Sequence, residues 1–206
     1  RAKADGVSAR SQNAHRSAVV AFANWCVATR RLTVNPFVGV PKANEKADPR
    51  RQRRALHTGE LARLFHAALH RPLADRMKIR GTDAPIQDAA RDALILLGLE
   101  RATAYRLMVF TGLRVNEVRT LTVASVVFDA DSPYINLAGR NAKNGRTAKI
   151  ALRGDVANDL RHYVAEREKW QRSGNSGAPI PLRTLPTTPL FDHMPSVKVF
   201  NLDLVA

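Results

Sequence analysis

One cysteine, two tryptophans and three tyrosines are all that 206 residues contain of those types, and no apolar run approaches the length of a membrane span. A lone Cys26 can form no internal disulfide and build no cysteine metal cluster, which fits a reducing cytoplasm. Without about 18 consecutive apolar residues there is no spanning helix, and no basic helix with a bulky apolar face suggests a membrane surface. The first residues, Arg1 to Gly6, lack the apolar stretch of a secretion signal and an initiating Met, so the sequence is expected to begin within a longer protein. Acid is scarce as well. Asp and Glu number 18 against 33 Lys and Arg, a formal net charge of +15 and a pI near 11.1. That surplus favours a polyanionic partner through counterion release, and nucleic acid is the leading one. A hydrophobic fraction of 45% argues against overall disorder, and the length suits one core plus a smaller partial domain.

Residues 8 to 31 predict a helix with Val19, Phe22 and Cys26 at helical spacing and Trp25 beside them, ending before Asn35-Pro36. One helix cannot bury that face, so the segment reads as the last part of a small helical domain. From 36 to 56 the character changes: Pro36, Pro41 and Pro49 alternate with Lys42, Lys46, Arg50, Arg51, Arg53 and Arg54, opposed only by Glu45 and Asp48. This predicts an extended basic linker, either tracking a phosphate backbone or simply solvated between domains.

Thr58 is a plausible N-cap with Glu60 in the first turn, and Leu61, Leu64, Phe65 and Ala68 form a buried stripe. Pro72 is expected to close that helix, with Asp83 and Pro85 opening the next after a charged insertion. Ile86, Ala89, Ala90, Ala93, Leu94 and Leu97 keep helical period, a further apolar segment from Tyr105 to Phe110 leads into Thr111-Gly112, and a short helix is expected over 116–121. The period then changes to short β-branched stretches at 126–128, 134–137 and 147–152, which predict a small antiparallel sheet with a hairpin turn at Asn144-Gly145. Helix returns from Asp155 to about Gln171; Ser173 to Pro189 reads as loop, and the tail as a short helix at most.

Around Gly112 the chain reads Thr-Gly-Leu-Arg-Val-Asn-Glu-Val-Arg-Thr-Leu, with Arg114 just past a glycine turn and Glu117 one helical turn later on the same face. Farther on, Lys143 stands in Arg-Asn-Ala-Lys-Asn-Gly-Arg, at the expected hairpin tip. A helix-start arginine and a hairpin lysine are able to converge on one phosphate.

Here the sequence resembles the tyrosine recombinases, or phage integrases. Thr-Gly-Leu-Arg-x-x-Glu followed by Leu is similar to the family's first catalytic box, and the Lys-Asn-Gly turn before an apolar strand to its catalytic hairpin. Residues 12 to 37, with Asn24-Trp25 and Asn35-Pro36-Phe37, resemble the end of the core-binding domain, and residues 56 to 65 the start of the catalytic domain. The resemblance implies a mainly α fold with a small antiparallel sheet (α+β): the C-terminal part of a helical core-binding domain at 1–35, a basic linker at 36–56 and a catalytic domain at 57–206 lacking its C-terminal part. It implies site-specific recombination or integration of double-stranded DNA, a homotetramer on DNA for the full-length protein, no cofactor, and a cytoplasmic, nucleoid-associated setting in a bacterium or phage.

By that resemblance Arg114 is the first catalytic arginine, Glu117 the acidic residue that holds it, and Lys143 the hairpin lysine that protonates the departing 5′-oxygen. Lys42, Lys46, Arg50, Arg51, Arg53, Arg54, Arg140 and Arg146 are the candidate DNA contacts. The family's His-x-x-Arg box and late nucleophilic tyrosine are absent: no arginine follows any of the six histidines at that spacing. Residues 191 to 206 resemble the stretch before that box, so the chain is expected to stop short of it, to bind DNA and not to cleave it. Tyr105, Tyr134 and Tyr163 read as packing residues. A noncatalytic DNA-binding regulator or a decayed integrase is the alternative.

No metal is expected. His66 and His70 have a zinc-compatible spacing, but without the glutamate of a metalloprotease they read as a solvated face. The glycines at 139 and 145 are spaced one residue too far for a phosphate loop, and Arg146 stands where that loop needs lysine.

Overall fold

The computed structural model describes residues 6–50, 54–80, 86–174 and 187–205. The chain divides into two compact units, Arg1–Ala55 and Leu56–Ala206. The expected cations Arg51 and Arg53, the N-cap at Asp83 with Pro85, and most of the expected loop at 173–189 lie outside the described residues.

In the first unit α1 (Ala9–Ala28) starts at Ser8, whose side chain accepts the Ser11 N–H as an N-cap. Residues 36–50 depart from the expected free linker, because their backbone is tied to α1. Asn13 bonds to both the carbonyl and the N–H of Ala43, and the Arg16 guanidinium donates to the Val40 carbonyl at 2.6 Å. Asn35 bridges to Asn24 and the Val20 carbonyl. Asp48 accepts the Ala9 N–H at 2.8 Å, and this bond, with the Arg50 guanidinium beside it, holds the carboxyl below the usual aspartate range. Backbone groups freed by the prolines thus find side-chain partners on α1, so the stretch belongs to the helix it follows. Cys26 is buried, whereas Val19, Phe22 and Trp25 are exposed. Phe22 and Trp25 stack at 5.9 Å, with the Arg31 guanidinium over the indole.

The second unit is mainly helical with one small sheet. Its first helix, α2 (Thr58–Arg80), is capped by His57 rather than Thr58: the His57 N–H donates to Glu60 at 2.8 Å, and the Leu61 N–H returns to the His57 carbonyl. Pro72 does not end it. A proline in a helix interior forgoes one hydrogen bond and crowds the preceding turn, at about 3 kcal/mol. Pro72 is buried, and Arg71 beside it is bonded to Asp75 and Asp203, so tertiary packing carries the helix through.

Helix α3 (Asp88–Thr111) joins the two apolar segments of the sequence into one rod, ended by Gly112 at φ 70° with its N–H on the Met108 carbonyl. That is the left-handed C-terminal cap that glycine adopts without strain. Short α4 (Val115–Arg119) follows, then β1 (Val126–Val127), β2 (Tyr134–Leu137) and β3 (Ala148–Ala151) in an antiparallel sheet ordered β1-β2-β3. Ile135 pairs with Ile150 and Leu137 with Ala148, which sets Ile135 and Leu137 into the core. The β2–β3 connection is wider than a two-residue turn. Asn144-Gly145 does not make a two-residue type I′ hairpin turn, which needs positive φ at both residues, because only Gly145 has it. Helix α5 (Gly154–Arg172) and α6 (Val197–Val205) complete the unit.

The main core gathers Leu107, Val118, Ile135, Val156, Leu160 and Tyr163 from α3, α4, the sheet and α5. Full burial of each aliphatic side chain stabilises by roughly 1.5–3 kcal/mol. A second cluster, Leu64, Ala68, Ala102 and Tyr105, joins α2 to α3. Their close approach requires Gly98: a Cβ there would lie 2.0 Å from the Leu69 carbonyl oxygen. Gly98→Ala is therefore expected to destabilise the unit by about 1–3 kcal/mol despite alanine's better helix propensity. Urea denaturation checks this, and a variant as stable as the parent would rule out the tight crossing.

The C-terminal segment is docked by buried charge. Asp203, whose side chain is fully buried, accepts Arg71 Nε at 2.6 Å, Arg101 Nη1 at 3.3 Å and the Tyr105 hydroxyl at 2.9 Å, joining α6 to α2 and α3. Glu100 accepts the N–H groups of Asp192 and His193, and Arg167 donates to the Pro189 carbonyl and to Asp192. Among the described residues no helix is long and apolar enough to cross a membrane.

Candidate functional site

The turn at Gly112 sends the chain sharply from α3 into α4, so that Arg114, in extended conformation, caps α4. Glu117, three residues on, reaches back: its Oε2 accepts the Arg114 N–H at 2.9 Å and its Oε1 the Arg114 guanidinium at 3.1 Å. This is the glutamate half of a capping box, with a side-chain ion pair added. The same Oε1 accepts the Lys143 N–H from the β2–β3 connection at 3.3 Å. One carboxylate therefore ties together two residues 29 positions apart in the chain.

Glu117 is buried, at 6% exposure, while the Arg114 side chain is 62% exposed and Lys143 is exposed. The anchor lies inside and both cationic ends face solvent. The Arg114 N–H, then the Lys143 N–H and the guanidinium, hold the Glu117 carboxyl below the usual glutamate range, against the opposing effect of its burial. A depressed carboxyl pKa stabilises the folded site above the unfolded value of about 4.3, and that contribution is lost as pH falls through the folded value. Protonation of Glu117 is thus expected to free the Lys143 and Arg114 amides, seen as lost hydrogen-exchange protection at both relative to their intrinsic rates at each pH. A Glu117→Gln chain showing the same acid onset would remove Glu117 as the cause.

Arg114, Lys143, Asn144 and Arg146 line an open cleft of about 440 Å³ with Thr111 and Gly112. Asn144 accepts the Arg146 N–H at 3.1 Å and shapes the turn. Thr111 accepts the Leu113 N–H and shapes the other wall. Neither was named as a site residue from the sequence, although Thr111 opens the Thr-Gly-Leu-Arg box and Asn144 belongs to the expected hairpin turn. Arg140 is exposed on the same connection but does not line the cleft. Among the described residues no carboxylate pairs with the Lys143 ammonium. The cleft has the donors of an anion receptor, a planar guanidinium fork, a mobile ammonium and a second arginine, and among the described residues lining it the one carboxylate is the buried Glu117.

The remaining candidates belong to the first unit. Lys42 and Lys46 are exposed there, Arg50 is bound to Asp48 and the Gly6 carbonyl, and Arg54 donates to the Ala55 carbonyl. No tyrosine lines the cleft. Tyr105 and Tyr163 are buried, and burial, foremost, raises both phenol pKa values far above the ordinary range. Tyr134 is half-buried with the Lys149 ammonium over its ring. His66 and His70 are exposed on α2. No cluster of three or more metal-ligating side chains occurs among the described residues. Comparison with known protein families, with curated proteins and with solved structures gave no match.

Proposed function

We propose that the chain is the DNA-binding and early catalytic part of a tyrosine recombinase, in which the Arg114–Lys143 cleft holds the phosphate to be broken. The observation carrying this reading is the single Glu117 carboxylate, which accepts the Arg114 guanidinium and the Lys143 backbone N–H and so tethers two residues that line one cleft. Arg114 would donate charge-assisted hydrogen bonds to nonbridging oxygens, stabilising the negative charge of a pentacoordinate transition state. Lys143, whose ammonium pairs with no carboxylate among the described residues, would deliver a proton to the departing 5′-oxygen. Attack by a tyrosine would conserve the phosphodiester energy in a 3′-phosphotyrosine, so the exchange needs neither metal nor ATP. In the full-length protein four protomers would act on two DNA sites.

None of this chain's tyrosines lines the cleft, which favours a second reading for the chain alone, a DNA-binding unit that does not cut. Both readings expect binding that weakens steeply with salt, with a log-log slope of about 0.9 for each neutralised phosphate. A flat titration on a duplex would sink both. On a nicked suicide substrate the chain is expected to give no covalent adduct. To separate the readings, the gene is read beyond Ala206: a His-x-x-Arg box and a tyrosine within roughly the next hundred residues support the recombinase, and an immediate stop supports the regulator or decayed integrase.

A further inference from the structure

Outside the cleft, α2 presents two imidazoles that the proposed function does not use. His66 and His70 stand four residues apart on one exposed face, with ring centroids 4.4 Å apart and planes inclined at 50°. Arg63, Arg71, Asp75 and Lys78 share the groove beside them. The sequence spacing alone reads as a solvated face; the closeness of the rings adds a geometric constraint. Two imidazole nitrogens each about 2.1 Å from one ion, at ~90–110° to each other, put the ring centroids roughly 4.5–5.2 Å apart. The observed separation lies just below that range, so the rings must part slightly, by side-chain torsion, for one ion to meet a nitrogen of each.

We propose that His66 and His70 form a two-imidazole surface site for a borderline divalent transition cation of the zinc or nickel kind. Imidazole selects such ions over magnesium or calcium, which prefer oxygen. Asp75 does not complete the site as a third ligand, because it is paired with Arg71 at 3.3 Å. Arg71 is also neutralised by Asp203 at 2.6 Å. The remaining coordination positions are therefore open to water or to an anion, and the positive charge of Arg63 and Lys78 favours the anion. The site is exchangeable rather than structural, since two protein ligands on an already formed helix add little to folding. It is independent of the DNA reading, because it shares no residue with the cleft.

The test is calorimetric titration of the full chain, without an affinity tag, with Zn²⁺, Ni²⁺ and Mg²⁺ in turn. One equivalent of Zn²⁺ or Ni²⁺ is expected to bind and Mg²⁺ is not. His66→Ala and His70→Ala are each expected to weaken binding by on the order of tenfold or more, as a chelate reduced to one ligand must. His162→Ala, an imidazole elsewhere on the surface, is expected to bind as the parent does. Both replaced side chains are exposed, so circular dichroism is expected to show an unchanged fold. A parent chain with no saturable binding, or a His66→Ala/His70→Ala chain that binds like the parent, overturns the site.

Discussion

Replacing Asp203 with alanine is expected to cost the second unit about 3–5 kcal/mol, the effect of leaving buried charge without its partner. The carboxylate is the common acceptor for Arg71, Arg101 and the Tyr105 hydroxyl. Both guanidiniums are largely out of water, at 15% and 12% side-chain exposure. Without Asp203 they repel each other across the junction of α2, α3 and α6, and the phenol loses its acceptor as well. Tyr105→Phe removes only one neutral donor and is expected to cost about 1 kcal/mol. Urea denaturation of the two variants provides the comparison. An alanine variant within 1 kcal/mol of the parent would mean that α6 is held by its apolar contacts, with the buried charges of little consequence.

Arg114→Ala carries the largest expected functional effect. If the complete protein is the proposed recombinase, its cleavage is expected to fall by about 10²–10³-fold or more, as when one preorganised donor to a transition-state oxyanion is removed. Duplex binding is expected to weaken little, with a salt slope smaller by about one counterion. The split between a lost chemical step and a retained complex distinguishes phosphate activation from mere attraction. Arg114→Lys keeps the charge and loses the fork, and is expected to resemble the alanine variant in rate. Normal cleavage by either variant would remove Arg114 from the site. The fold offers a control on the same reading: Arg140, exposed beside the cleft but not lining it, is expected to affect binding without the loss in rate.

Most of the second unit was readable in advance because its signals are local. Apolar residues at helical spacing predicted α2 as far as Pro72 and α3 as two separate segments, a return to helix was expected over most of α5, and short β-branched stretches predicted the three strands within a residue or two. The readings that failed were those in which a distant partner outweighs a local preference. Pro72 ought to end a helix, yet it is buried beside an arginine held by Asp203, 132 residues away from Arg71 in the chain. Prolines and lysines at 36–50 have the composition of a linker, yet asparagine and arginine side chains on α1 bind their backbone. Gly98 carries no local signal of its role; only the crossing with α2 shows why a side chain does not fit there.

For the candidate site, the sequence by itself determined the chemical types and their local setting. Arg114 and Glu117 had to meet because they are one helical turn apart, and Lys143 had to lie in a connection because glycine and asparagine surround it. That Glu117 also receives the Lys143 amide and that both cations open onto one cleft were decided by tertiary structure alone. The physical reason is that helical period and turn chemistry act over a few residues, whereas the meeting of α4 with the β2–β3 connection depends on how Leu107, Val118 and Ile135 pack in the core between them.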